Sequence, residues 1–374
     1  MRILFVSHYA LPHLGGIEVA IDAMARELTG RGHEVAYLAS DAVRVDERIG
    51  PVAEPPYRVV RIPATNVVEE RLGVPYPVFG PRLFRALRRE LARADVVHAH
   101  GFLYMNAVAA LRMARGPSVL TEHVGHVEYD SRLLDRAEAL AIASLGRAAV
   151  RAADALVYVN DSVGAELRRL APGKRIERIE NGVDTDRYRP PEPGERERLR
   201  AELGWTGERK HVLFVGRLVA KKGLPLALDA ARHGGFELVV AGPGTLPADA
   251  PPNVTALGAL PPQRVAELYR AADAFLLPSR GEGFPLTVQE AMASGLPVVL
   301  LDDPGYRSSL AGAGAAATLV APDGERLARA IESLAPAAGA AAAEHARRAF
   351  SWHAAADAHE RLYAELLRTS CMAR

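Results

Sequence analysis

The stretch Pro278-Ser279-Arg280-Gly281-Glu282-Gly283-Phe284-Pro285-Leu286-Thr287-Val288-Gln289-Glu290-Ala291-Met292 follows a short apolar run, Ala274–Leu277, and opens a helical segment. An apolar run, a glycine-bearing loop and a helix in that order make one parallel β–loop–α unit. Pro285 suits the first helical turn, because the N–H it lacks would have been unpaired there anyway. The other amides entering the helix have no internal partners, and the helix dipole there favours an anion. A phosphate fits at this position.

Outward from this unit the same pattern repeats. Upstream lie Val212–Val215, Leu224–Ala231, Glu237–Ala241 and Gln263–Ala272, and downstream lies Val298–Leu301. The pattern breaks at Pro190-Pro191-Glu192-Pro193-Gly194, where prolines remove backbone donors and favour extended chain, as a linker does. A second series precedes the break. It begins with a strand at Ile3–Val6, a loop ending in Gly15-Gly16, and a helix whose Ile17, Ile21, Met24 and Leu28 form one apolar stripe. Gly30 and Gly32 fall where the end of that helix calls for a left-handed residue. Further strands are predicted at Glu34–Ala39, Tyr57–Ile62, Val96–Ala99, Ser118–Thr121 and Ala155–Val159. The segment from Pro51 to Pro81 holds seven prolines and is expected to contain a long irregular loop that carries recognition.

Alternating apolar runs and amphipathic helices predict an α/β protein with parallel sheets. At 374 residues, two such domains are expected, each with its own core, facing each other across a cleft. Lys plus Arg is 46 and Asp plus Glu is 45, a balance that argues against a general nucleic-acid binder. The single cysteine, Cys371, excludes an intramolecular disulfide and points to a reducing compartment. No apolar run reaches 18 residues, and the first apolar stretch is shorter than a signal-peptide core, so a cytoplasmic protein is expected.

Glu282 and Glu290 stand eight residues apart. Fully helical, that spacing would rise ~12 Å, well beyond the ~5–5.5 Å between the carboxyls of a retaining glycosidase. The two glutamates can instead touch opposite ends of an extended ligand. Equally, Glu282 can be solvated and Glu290 can sit in a helix salt bridge.

With these residues in view, the stretch from Glu282 to Glu290 resembles the E-x7-E signature of retaining glycosyltransferases of family 4. This is the glycogen-synthase and mannosyltransferase-like group, which has the GT-B fold of two facing Rossmann-like domains. The similarity extends to Gly15-Gly16, Asn181-Gly182-Val183-Asp184, Val215-Gly216-Arg217-Leu218 with Lys222-Gly223, and Phe350-Ser351-Trp352 before a final helix. These motifs occur in the family's order and span nearly the whole chain.

The resemblance implies roles for individual residues. Arg217 and Lys222 look like the cations that hold the donor's diphosphate and offset charge growing on the leaving phosphate. Glu290 matches the glutamate that binds the nucleotide's ribose, and Glu282 the one near the sugar hydroxyls. The amides of Gly283, Phe284 and Leu286 would lie near sugar or phosphate. Gly15 and Gly16 resemble the loop that approaches donor and acceptor, glycine permitting close backbone contact; a plain tight turn is the other reading. His123 matches the active-site histidine near the transferred sugar, while His126 has no counterpart. The domain limits implied are 1–188 for the acceptor side, 189–350 for the donor side, and 351–374 for a helix crossing back to the first domain.

His98 and His100 share one strand face, and line the acceptor side or cap the sheet; as a metal pair they lack a third ligand. Asp184-Thr185-Asp186 spells D-x-D, the metal–diphosphate motif of the other major glycosyltransferase fold, but its loop context makes it structural. No metal or other cofactor is therefore expected. Arg82, Arg85, Arg88, Arg89 and Arg93 flank an apolar helical stripe, which is either an ordinary solvated helix or a peripheral contact to the inner face of a membrane.

Taken together, the expected activity is transfer of a sugar from a nucleotide-diphosphate sugar, UDP-linked or GDP-mannose, to an acceptor hydroxyl with retention. The acceptor would be a glycan, a lipid-linked sugar or a small molecule. A nucleotide-sugar epimerase of the same fold and a non-catalytic nucleotide-sugar-binding partner are the alternatives.

Overall fold

The computed structural model describes residues 1–13, 15–42, 54–123, 136, 139–205, 207–281, 284–335 and 337–372. The chain divides into two compact units. One takes the N-terminal residues, Pro51–Asn181 and the returning segment Trp352–Arg374, and the other takes Gly182–Ser351.

In the first unit the strands are β1 (Arg2–Val6), β2 (Glu34–Ser40), β3 (Arg58–Ile62), β4 (Ala64–Thr65), β5 (Val78–Phe79), β6 (Val96–His100), β7 (Ser118–Glu122), β8 (Ala155–Tyr158) and β9 (Arg175–Arg178). Seven of them form one sheet in the order β3-β2-β1-β6-β7-β8-β9, every neighbouring pair parallel. A parallel sheet is covered on both faces, so its central strands must be apolar throughout. In β1, Ile3 and Phe5 enter one core while Leu4 and Val6 enter the other. The Ile3/Phe5 face is closed by the Gly16–Gly30 helix and by the C-terminal helix Trp352–Met372, whose Ala356, Leu362 and Tyr363 pack beside Ile21, Met24 and Leu28. Arg31 fastens the two helices, its Nη1 lying 2.6 Å from Asp357 and 2.7 Å from Glu360.

The second unit holds β10 (His211–Val215), β11 (Glu237–Ala241), β12 (Val254–Gly258), β13 (Ala274–Leu277), β14 (Val298–Leu301) and β15 (Ala317–Val320). Their order is β12-β11-β10-β13-β14-β15, again all parallel. In each unit the chain winds outward from a central strand, returns to its other side and winds outward again. The reversal falls between β1 and β6 in one unit and between β10 and β13 in the other. Open α/β sheets bind ligands beyond the carboxyl ends of the strands at such a reversal.

Some local expectations need correction. The long irregular loop expected within Pro51–Pro81 is absent among its described residues: besides β3 they form the antiparallel pair β4–β5 and a helix, Val67–Leu72. Of the two glycines at the end of the first helix, Gly30 closes the helix and Gly32 alone takes a left-handed φ, of 86°. The Arg82–Leu91 helix buries Leu83 and Leu87 in the core and turns Arg82, Arg85, Arg88 and Arg89 outward, with Phe84 41 % exposed. Among the described residues, no helix is long and apolar enough to cross a membrane.

Candidate active site

In the second unit, the loops beyond β10 and β13 meet at the reversal. After β10 the chain passes through Gly216 and the exposed Arg217 into a short turn, Ala220–Lys222, that ends at Gly223 with φ 81°. The methylene stem of half-buried Lys222 runs past Gly216, within 4 Å of where a Cβ there would lie. The amide of Arg280, beyond β13, donates to the Lys221 carbonyl at 3.4 Å. Both cations thus sit on the loop at the carboxyl end of β10, against the loop beyond the adjacent strand β13.

Beyond Arg280, Glu282 and Gly283 lie outside the described residues. Phe284 follows with its side chain buried in the core, 5.7 Å from the Tyr306 ring and 5.1 Å from that of Phe350, so its backbone is the part left to face a ligand. Pro285 is extended and occupies the N-cap position of the Leu286–Ala293 helix, one residue earlier than a first-turn proline would stand. Its carbonyl accepts from the amides of Val288 and Gln289, and no side chain caps the helix start.

Glu290 stands on this helix, half-buried. Its Oε2 accepts from the Tyr269 hydroxyl at 3.1 Å, and the Tyr188 ring lies 5.9 Å from that of Tyr269, beside the same carboxylate. Burial pushes its pKa up to about 7, the two tyrosines opposing that shift. The salt bridge that helical spacing allowed is replaced by a pair of phenols. Tyr188 arrives from the Asn181–Asp184 loop, where Asp184 Oδ1 accepts the amides of Asp186 and Arg187 at 3.2 and 3.0 Å. The D-x-D sequence therefore builds a turn. Sequence reasoning missed Tyr188 and Tyr269, because nothing in an apolar stripe reveals where a buried tyrosine's hydroxyl points.

In the first unit, Gly15 precedes the Gly16–Gly30 helix with extended backbone. A Cβ on it would lie 2.2 Å from Glu18 Oε2, whereas one on Gly16 would meet open space. Gly15 thus makes room for Glu18, a buried carboxylate that sequence reasoning overlooked, whose Oε1 is 3.3 Å from His8 Nε2. Burial pushes Glu18 up to about 7.

His123 follows β7 and is buried, its Nε2 2.9 Å from His100 Nδ1. His98 is held at both ring nitrogens, each at 2.6 Å, by the Tyr363 and Thr121 hydroxyls. Together with His359, these histidines border a cavity of about 20 Å³, room for one water. Burial, and then the neighbouring His359, pushes His123 down to about 4. His126 lies outside the described residues. Among the described residues, no three His, Cys, Asp or Glu side chains are grouped to hold a metal ion.

Two parallel α/β sheets, each with its loops gathered at a reversal of strand order, are those of the GT-B fold. Residues 14–187 match Glycosyltransferase Family 4, and residues 195–337 match Glycosyl transferases group 1. The D-inositol 3-phosphate glycosyltransferase of Corynebacterium aurimucosum is 29% identical over 98% of this chain and 96% of its own. A GDP-mannose-dependent alpha-mannosyltransferase of Mycobacterium tuberculosis is 30% identical over 82% of this chain and 80% of its own. The fold is also that of sucrose-phosphate synthase from Thermosynechococcus elongatus, with a TM-score of 0.78 at 21% identity, covering 98% of this chain and 99% of that one. The chain belongs to glycosyltransferase family 4.

Proposed function

We propose that this enzyme moves a sugar from a nucleoside-diphosphate sugar to an acceptor hydroxyl with retention of anomeric configuration, without a metal. The observation that carries the reading is the meeting of two loops at the β10/β13 reversal: one bears Arg217 and Lys222, the other leads into an uncapped helix. A diphosphate there gains two cations and the free amides of a helix start. Glu290 then takes the ribose hydroxyls, while Glu282 and the amides of Gly283, Phe284 and Leu286 face sugar and phosphate. Gly15, Gly16 and His123 serve the sugar and acceptor side.

In the reaction, the acceptor oxygen bonds to the anomeric carbon on the face from which the phosphate oxygen departs. The acceptor's proton passes to that departing oxygen. The protein orients both substrates and stabilises the developing diphosphate charge. A UDP-sugar is the first donor to test, and GDP-mannose, carried in the mycobacterial relative's name, is the second.

Thermal unfolding with UDP, GDP, ADP and TDP, each with and without EDTA, tests the donor site. A nucleotide at 100 times its Kd adds ~2.7 kcal/mol, about 5–11 °C for a domain of this size. A selective shift that survives EDTA identifies the base and a metal-independent site. Proton NMR of the product made from the matching sugar donor then reads the anomer. No shift with any nucleotide, or an inverted product, overturns the reading.

A further inference from the structure

His100 and His123 come from neighbouring strands, β6 and β7, where His100 pairs in register with Thr121. Both rings are buried, 4% and 7% exposed, and one hydrogen bond of 2.9 Å joins His100 Nδ1 to His123 Nε2. The His100 ring cannot swing away. It stacks on His98 at 4.3 Å and lies 5.4 Å from the Phe5 ring, while His98 is itself tied at both nitrogens.

A neutral imidazole carries one N–H and one bare nitrogen, so two neutral rings facing each other share a single proton across the contact. Desolvation keeps both rings neutral at pH 7. The remaining nitrogen of His100, Nε2, is buried and has no hydrogen-bond partner among the described residues. A buried N–H left without an acceptor costs more than a bare lone pair left alone. The proton of His100 therefore belongs on Nδ1, inside the contact.

We infer that His100 is a positioning residue: it donates Nδ1–H to His123 Nε2 and so fixes His123 as the tautomer that carries its proton on Nδ1. His123 then meets the transferred sugar as a hydrogen-bond donor to a hydroxyl and not as a base. This agrees with a reaction in which the leaving phosphate takes the acceptor's proton. The functional consequence rests on the proposed sugar-side place of His123; the tautomer does not.

Two-bond 1H–15N correlation spectra of the full chain labelled with 15N-histidine read the tautomer directly, with His123→Gln assigning the resonances. The expected result is a protonated Nδ1 and a bare Nε2 on His123. That pattern should be lost in His100→Ala and kept in His100→Asn, whose amide can occupy the Nδ1 position. Turnover should follow, kcat falling roughly 10–100-fold in His100→Ala with donor KM unchanged, and recovering in His100→Asn. A wild-type His123 protonated on Nε2 overturns the inference, since His100 would then be the acceptor and would give its own Nε2–H to water in the cavity. So does an unchanged tautomer in His100→Ala. If no donor is turned over, the proposed reaction fails while the spectra still decide the tautomer.

Discussion

A Cβ built on Gly223 would lie 2.0 Å from the carbonyl oxygen of Pro278, so the turn that follows Lys222 and the loop that follows β13 touch backbone to backbone. The same approach recurs one strand away, where a Cβ on Gly242 would lie 1.9 Å from the carbonyl oxygen of Gly216. Loops beyond β11, β10 and β13 are therefore pressed together without side chains between them. That closeness brings Lys222 beside the loop leading to the Leu286–Ala293 helix.

Gly223→Ala should be strongly destabilising. The left-handed φ of 81° already costs an alanine about 1–2 kcal/mol, and the clash is with backbone, which cannot rotate aside. A total loss of roughly 3 kcal/mol would lower the midpoint by about 6–12 °C. Gly30→Ala, whose Cβ meets nothing within 4 Å, serves as the control and should unfold like wild type or slightly later. A wild-type midpoint for Gly223→Ala would show that the two loops are free to separate.

The central strands were legible because both faces of a parallel sheet are buried: Glu237–Ala241, Ala274–Leu277 and Val298–Leu301 coincide with β11, β13 and β14. Of the edge strands, β3 was read as Tyr57–Ile62, but β9, β12 and β15 were not. β9 reads Arg175-Ile176-Glu177-Arg178, and β12 is largely exposed, so neither needs an apolar run. The charged groups of the candidate site could be picked out by motif and loop position. Tyr188, Tyr269 and Glu18 could not, because their part in it depends on chain segments distant in sequence folding against one another.

Arg217→Ala and Lys222→Ala should each reduce turnover by roughly 10²–10³, the effect of removing one preorganised charge from a transition state. Arg217 is exposed, so its removal should leave the unfolding midpoint within about 0.5 kcal/mol of wild type. Steady-state kinetics beside thermal unfolding separate chemistry from folding. Near-normal turnover in both variants would remove the diphosphate role from this loop.

Nucleotide binding should depend on the ionisation of Glu290. An ionised carboxylate accepts from both ribose hydroxyls, whereas the protonated form gives up one acceptor site. With its pKa raised to about 7 by burial, affinity should fall as pH drops from 8 to 6. Calorimetric titration should show that slope in wild type and lose it in Glu290→Gln, and Tyr269→Phe, which removes a donor to the carboxylate, should move the midpoint upward. In the free protein the linkage has the opposite sense: a raised carboxyl pKa contributes stability below about 4.5 that is lost as pH rises through about 7. A pH-independent affinity in wild type would exclude Glu290 from the ribose.

Acid should loosen the two units unequally. In the first unit, burial lowers the pKa of His8, His98, His100, His123 and His359, the last two to about 4 from 6.5. The unfolded chain takes up these protons before the folded one does, so their stabilisation is complete above pH 6.5 and is lost progressively down to about 4. Each shift of that size is on the order of 3 kcal/mol. Glu18, raised to about 7, acts in the opposite sense, but it is one group against five. In the second unit burial lowers the pKa of His211, and Glu290 offsets it. The two tryptophans report on the units separately: Trp352 borders the histidine cavity, and Trp205 stacks on His211 at 4.4 Å. Urea unfolding of Trp205→Phe and Trp352→Phe at pH 7.5 and 5.0 should show a large loss of midpoint when Trp352 is the probe and a small one when Trp205 is. Equal losses at both probes would mean that the histidine cluster is not what makes the protein acid-labile.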